Sequence, residues 1–178
     1  MKDERGMATT SPFSDAPALI VGFYTWAKSL QEAIGRPLKR ADLSLDRVYR
    51  WAPNMKVLER TSKGGPLYVR LFGTMFAEFY GVDLTGRFLS EAFPKNVEPI
   101  VTAGYNLAED GWVVYEKIGF TWESRKNVDY RRLIYPLETS GRFSIYAIIG
   151  FRSPDERVLA DRGFETKVET FKIDRIYI

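Results

Sequence analysis

Two omissions define what chemistry the side chains can do: the 178-residue chain contains no histidine and no cysteine. A histidine-ligated haem, a flavin–cysteinyl adduct, a thioester-linked chromophore and zinc sites with nitrogen or sulfur ligands cannot be built from it. The Ser-His-Asp and Cys-His nucleophile systems fall on the same ground. Acid–base work is left to Asp, Glu, Lys and Tyr. Glu78, Asp83 and Glu91 come nearest to a carboxylate set. Two of them have local explanations as turn-capping groups, and no nucleophile, base and orienting residue assemble around them. The chain therefore reads as non-enzymatic, without cofactor or metal. Arg70 alternates with Val69 and Leu71 and points off the core face. It reads as half of a structural ion pair, with anion recognition as the alternative.

What the sequence offers instead is aromatic surface, with 12 Phe, 10 Tyr and 4 Trp. Phe76, Tyr80, Phe93, Tyr105, Trp112 and Tyr115, with Val69 and Leu71 of the preceding strand, are the candidate lining of a small-molecule pocket. The alternative is a plainly filled core. Tyrosines in such a wall need hydrogen-bond partners, which favours a polar guest or buried water.

The elements that must position this set follow from pattern. Segment 66–72 is a strand rich in β-branched and aromatic residues, with Pro66 first, where no ladder donor is needed. Thr74 is placed to cap a helix whose Met75, Phe76, Phe79 and Tyr80 form one apolar stripe. Gly81 ends it, and Asp83 with Gly86 fits the ends of a type I turn. Strand 55–60 pairs with 66–72 across Lys63-Gly64-Gly65. Asn96 caps a longer helix with Ile100, Gly104, Leu107 and Ala108 buried, and Gly111 ends it. Strand 112–122, a charged loop at 123–129, strand 130–138, a Ser140-Gly141 turn and strand 143–151 come next.

Upstream, Ser14, Asp15 and Pro17 start a helix that Gly35 and Pro37 stop. Leu19, Phe23, Trp26, Leu30 and Ala33 make one stripe on it, and Ile20, Tyr24 and Ala27 a second. One sheet face covers one stripe, so Ile20, Tyr24 and Ala27 are assigned to a homodimer interface. The alternative is that the C-terminal tail, with Ile173, Ile176 and Ile178, covers them within one chain. A short helix at 44–51 carries Leu45, Val48, Tyr49 and Trp51. The last residues, 167–178, alternate as a strand.

The run Tyr68-x-Arg70-Leu71-x-Gly73-Thr74, then Tyr80-Gly81-x-Asp83-Leu84-Thr85-Gly86-Arg87-x-Leu89, and later Leu133-Ile134-Tyr135-Pro136-Leu137, resembles the PAS-like family common in alphaproteobacteria. That family includes regulators of motility and cell-cycle signalling. The resemblance covers residues 25–151. It implies an α+β fold: a five-stranded antiparallel sheet with helices over one face, in the order ββ–helices–βββ. On this reading the chain divides into a leader (1–13), an N-terminal helical segment (14–52), a PAS-like core (53–151) and a C-terminal extension (152–178). The resemblance also implies a sensory or interaction role, without naming a ligand.

Composition is consistent with one globular domain: hydrophobic residues make up 45% and no apolar run has membrane-spanning length. No secretory signal precedes the fold, so cytoplasm is the expected location. The net charge is +3, and the densest basic spots, 36–40 and Arg131-Arg132, read as solvated surface without nucleic-acid binding. No output domain is evident, so signalling falls to a partner protein in trans. The functional expectation is a regulatory module binding a small apolar or amphipathic molecule, a partner protein, or both. The alternatives are a ligand-free dimerisation domain and an enzyme using Asp, Glu, Tyr or Lys.

Overall fold

The structure, a computed structural model, describes residues 13–93, 95, 98–122, 125–140, 143–152 and 167–176. Its frame is one antiparallel sheet of six strands: β1 (Met55–Arg60), β2 (Tyr68–Phe72), β3 (Trp112–Trp122), β4 (Arg125–Ser140), β5 (Phe143–Arg152) and β6 (Lys167–Arg175). They lie in the order β2-β1-β5-β4-β3-β6. The sixth strand is the difference from the five expected. The C-terminal segment pairs with β3 from Trp112 opposite Arg175 to Gly119 opposite Lys167. It covers an edge that would otherwise expose unpaired backbone groups.

Among the described residues four α-helices accompany the sheet: α1 (Ala18–Ile34), α2 (Leu45–Val48), α3 (Thr74–Tyr80) and α4 (Glu98–Glu109). They cover both faces, not one. Phe76 and Phe79 of α3 and Tyr105 of α4 pack on Leu58, Val69, Ile134 and Ile148. On the opposite face Ile20, Phe23 and Ala27 of α1 pack on Val57, Leu133, Tyr135, Ala147 and Ile149. The reason is legible in β4 and β5, where Leu133-Ile134 and Ile148-Ile149 put apolar side chains on both sides at once.

This arrangement corrects the assignment of Ile20, Tyr24 and Ala27 to a dimer interface. Ile20 and Ala27 have no exposed surface within a single chain. Tyr24 is half-buried, packs on Phe13 at 5.1 Å between centroids and donates to Asp174 Oδ2 at 3.3 Å. Lys28 pairs with the same carboxylate, and Ile173 and Ile176 belong to the same core. The sheet covers Ile20 and Ala27 in cis, and Asp174 of the C-terminal strand holds Tyr24.

Local details shift by a residue or two. Gly35, Gly81 and Gly111 end their helices at φ of 68°, 75° and 87°, in the left-handed region. Thr74 is the first helical residue, with Gly73 at the cap position. The turn after α3 runs from Leu84 to Arg87, closed by the Arg87 amide on the Leu84 carbonyl at 2.9 Å. Asp83 instead accepts from the Thr85 amide and hydroxyl. Strand β4 begins at residue 125, so most of the expected 123–129 loop is strand. Helix α2 is a single turn, which leaves Leu45 and Tyr49 exposed while Val48 and Trp51 are buried. In α4 the buried stripe is Val101, Gly104, Tyr105 and Ala108, with Ile100 and Leu107 only half-buried. The expected leader up to residue 12, the Asn96 cap, Gly141 and Ile178 lie outside the described residues.

Candidate functional site

The sheet face under α3 and α4 carries three charged side chains with no exposed surface: Lys56 on β1, Glu116 on β3 and Arg132 on β4. Glu116 and Arg132 are direct cross-strand partners, and Thr170 of β6 lies opposite Glu116 on its other side. Arg132 Nε donates to Glu116 Oε2 at 2.6 Å, and its Nη2 lies 2.5 Å from the same oxygen. Nη2 also donates to the Val101 carbonyl of α4 at 2.6 Å, and Nη1 to the Tyr105 hydroxyl at 3.3 Å. Thr170 Oγ1 donates to Glu116 Oε1 at 3.2 Å. A buried pair survives desolvation only when such extra bonds satisfy the remaining atoms, and this one has them. Burial works against the guanidinium charge, but the Glu116 carboxylate holds Arg132 above its ordinary pKa. The fit is close: a Cβ at Gly104 would overlap the Glu116 carboxylate, so only glycine lets α4 approach here.

Lys56 is the exception to this completeness. Its Nζ is buried and has no hydrogen-bond partner among the described residues. It lies 4.5 Å from the Phe76 ring centroid and 5.6 Å from that of Tyr80. Burial, reinforced by the nearby Arg132 charge and opposed by Glu116, pushes its pKa well below the usual lysine value. Tyr130 packs on Phe76 and Phe79 with centroids 6.3 and 5.8 Å away. Its hydroxyl is the second buried group here without a partner among the described residues. Burial raises Tyr130 and Tyr80 above the usual phenol value, and Tyr105 to about 12, so all three are neutral donors at physiological pH.

An open pocket of about 340 Å³ adjoins this cluster. It lies between the β1–β2 turn (64–67), the 3-10 turn Leu89–Ala92 and the first half of α4. Arg60, Phe93, Val101 and Asn106 are on its wall. Arg60 Nη1 is already engaged, donating to Asn106 Oδ1 at 2.8 Å and Glu109 Oε2 at 3.1 Å. Two links join pocket and cluster. Val101 lines the pocket while its carbonyl accepts from Arg132. Phe93 meets Tyr80 edge-on at 5.2 Å, and Tyr80 flanks Lys56.

Of the sequence-predicted lining, Val69, Phe76, Tyr80, Phe93, Tyr105 and Trp112 come together on this face. Phe93 alone of these lines the open pocket. Leu71 and Tyr115 do not belong to the set. A bulge in the β1–β2 pairing, where Val57 opposes Leu71 but Leu58 opposes Val69, turns Leu71 outward to 37% exposure. Tyr115 is on the opposite face, stacked on Phe171 at 6.1 Å. Arg70 pairs with Glu59 and lies over Tyr68, the structural role expected of it. Glu78, Asp83 and Glu91 are exposed, and Glu91 caps the Phe88 amide at 3.0 Å.

Sequence reasoning missed Lys56, Glu116, Arg132 and Thr170. The basic spot Arg131-Arg132 is not all solvated surface: Arg132 is buried, while Arg131 pairs with Asp129 and Asp15 on the other face. The signal was alternation. Neighbouring residues in a central strand face opposite ways, so one arginine had to point inward, and Lys56 shares its parity with Leu58.

Among the described residues no group of three His, Cys, Asp or Glu side chains could hold a metal. No described helix is long and apolar enough to cross a membrane. Compared with models of known families, with curated proteins and with solved structures, the chain matches none.

Proposed function

We propose that the chain is a PAS-like regulatory module that binds a small molecule between the sheet and helices α3 and α4. Its ligand state then passes through its surface to a partner protein. The order β1-β2, α3-α4, β3-β4-β5 along the chain is the ββ–helices–βββ succession that the motif resemblance implies, with β6 as an addition. The observation that carries the reading is Lys56, whose Nζ is buried under α3 with no hydrogen-bond partner among the described residues. A filled core has no use for it, because an unmade buried hydrogen bond costs about 1–3 kcal/mol and an apolar residue of the same length would avoid that cost. The site is also connected outward. Arg132 ties β4 to the Val101 carbonyl of α4, and Glu116 ties β3 to Thr170 of β6. A guest that competes for these bonds shifts an outer helix and an edge strand together.

Amide NMR spectra of the labelled full chain, titrated with a library of small amphipathic compounds, test the reading. Shifts concentrated at residues 56–60, 76–80, 101–106 and 130–134 are the expected result. A library that leaves these amides unmoved overturns it.

A further inference from the structure

We propose that the molecule held at this site is an organic acid, its carboxylate paired with Lys56 Nζ and its apolar body running past Tyr80 and Phe93 toward the open pocket. The inference rests on the ligand-binding reading above and names the class of ligand. The first argument is a donor without an acceptor. Lys56 has no exposed surface, and the Phe76 and Tyr80 rings beside its Nζ offer only π faces. Tyr130 Oη, packed on the same Phe76 ring, is a second donor without a partner among the described residues. A carboxylate is an acceptor-only group with about four lone-pair sites, the complement of such a donor.

The second argument is charge. The charged groups acting on Lys56 are Arg132 of β4 and Glu116 of β3, and the Phe76 and Tyr80 rings of α3 lie against its amine. Glu116 is the one carboxylate among them, and its charge is committed to Arg132. The cluster therefore lacks one negative charge for seating a protonated lysine. Burial and Arg132 push the unliganded amine toward its neutral form, and an acid that meets that form takes up one proton from solvent to give a carboxylate–ammonium pair. Charge balances at one acid per site. A dianion such as a phosphate monoester would leave excess charge in a water-excluded setting, and a neutral amide or alcohol would supply none. The charge of Arg60 at the pocket wall is already met by Glu109, although its Nε is a further buried donor without a partner among the described residues.

The third argument is access. The pocket of about 340 Å³ is of the size that holds small ligands. Phe93 on its wall meets the Tyr80 ring at 5.2 Å, and Tyr80 lies against Lys56. Entry of the acid requires those two rings to turn aside.

The experiment is titration calorimetry of the full chain with octanoate and phenylacetate, and with octanamide and phenylacetamide as neutral controls. Each is run at about pH 7.5 in phosphate and in Tris, so that proton uptake is read from the difference between buffers. The acids are expected to bind about 10- to 100-fold more tightly than their amides, the range of one charge-assisted hydrogen-bonded pair. Protons are expected to be taken up with the acids and not with the amides. Lys56→Met should bring the acids down to the level of the amides and leave the amides unchanged. Acids and amides of equal affinity, or acid binding that survives Lys56→Met, would each overturn the assignment. If amides bind and shift the α3 and α4 resonances while acids gain nothing, the ligand-binding reading stands and the acid does not. If neither acids nor amides bind, and the α3 and α4 resonances stay unmoved, both fall.

Discussion

Replacing Lys56 with methionine should make the protein more stable, an unusual outcome for a fully buried position. Methionine keeps an unbranched side chain against Phe76 and Tyr80 and removes the amine. The unmet hydrogen bonds of that amine cost about 1–3 kcal/mol. A proton term adds to this. The folded-state pKa of Lys56 lies below its unfolded value of about 10.4, so between the two values the unfolded chain binds one more proton than the fold. Wild-type stability therefore rises with pH across that window and falls as pH drops through it, by about 1.4 kcal/mol per pH unit. Lys56→Met has no such slope. Urea unfolding of both proteins at neutral pH and at two values approaching pH 10 reads the difference directly, and taking that difference cancels the titration of the tyrosines. The variant should be the more stable at neutral pH, with its advantage shrinking by about 1.4 kcal/mol per unit as pH approaches 10. For a chain of this size each kcal/mol is about 2–4 °C in melting temperature. A variant less stable than wild type, or an advantage independent of pH, would show the opposite: a lysine charged and partnered in the fold.

Other substitutions separate the parts of the site. Glu116→Gln strands the Arg132 guanidinium in a dry interior and should cost about 3–5 kcal/mol in chemical denaturation; a loss under about 1 kcal/mol would mean the pair is hydrated. Gly104→Ala pushes a methyl into the Glu116 carboxylate and should cost about 1–3 kcal/mol in the same assay, where a neutral result would contradict the close approach of α4. Phe76→Ala empties the ring that both Lys56 and Tyr130 touch, for about 3–5 kcal/mol, measured by thermal or urea unfolding.

Periodicity carried most of the frame. The β1–β2 hairpin, the glycine-ended helices α1, α3 and α4, and strands β3 to β5 all come from two-residue or three-to-four-residue spacing with a stop signal at the end. The faces were harder. Five strands under one helical layer leave the apolar residues of β4 and β5 half uncovered, and only the pairing of β6 with β3 shows how Ile173 and Ile176 close α1 onto the sheet. That contact joins segments about 150 residues apart, which no local pattern reports. At the site, the aromatic wall was readable because large apolar residues announce burial. Lys56, Glu116 and Arg132 were not, because a charged residue in a strand is by default placed on the wet side, and here β1 and the middle of β3 and β4 are covered on both faces. Leu71 failed for a different reason. A bulge inserts one residue and reverses the face of the residues beyond it, and the sequence of β2 carries no glycine to mark it.

Native mass spectrometry of the purified full chain asks whether the Lys56 site holds a guest. The expected spectrum shows a species heavier than the 20.5 kDa chain by one discrete small-molecule mass, lost on denaturation and recovered as a carboxylic acid. The same species should be absent from Lys56→Met. A bare chain under conditions that preserve the fold, or an adduct retained undiminished by Lys56→Met, would contradict a carboxylate seated on this lysine.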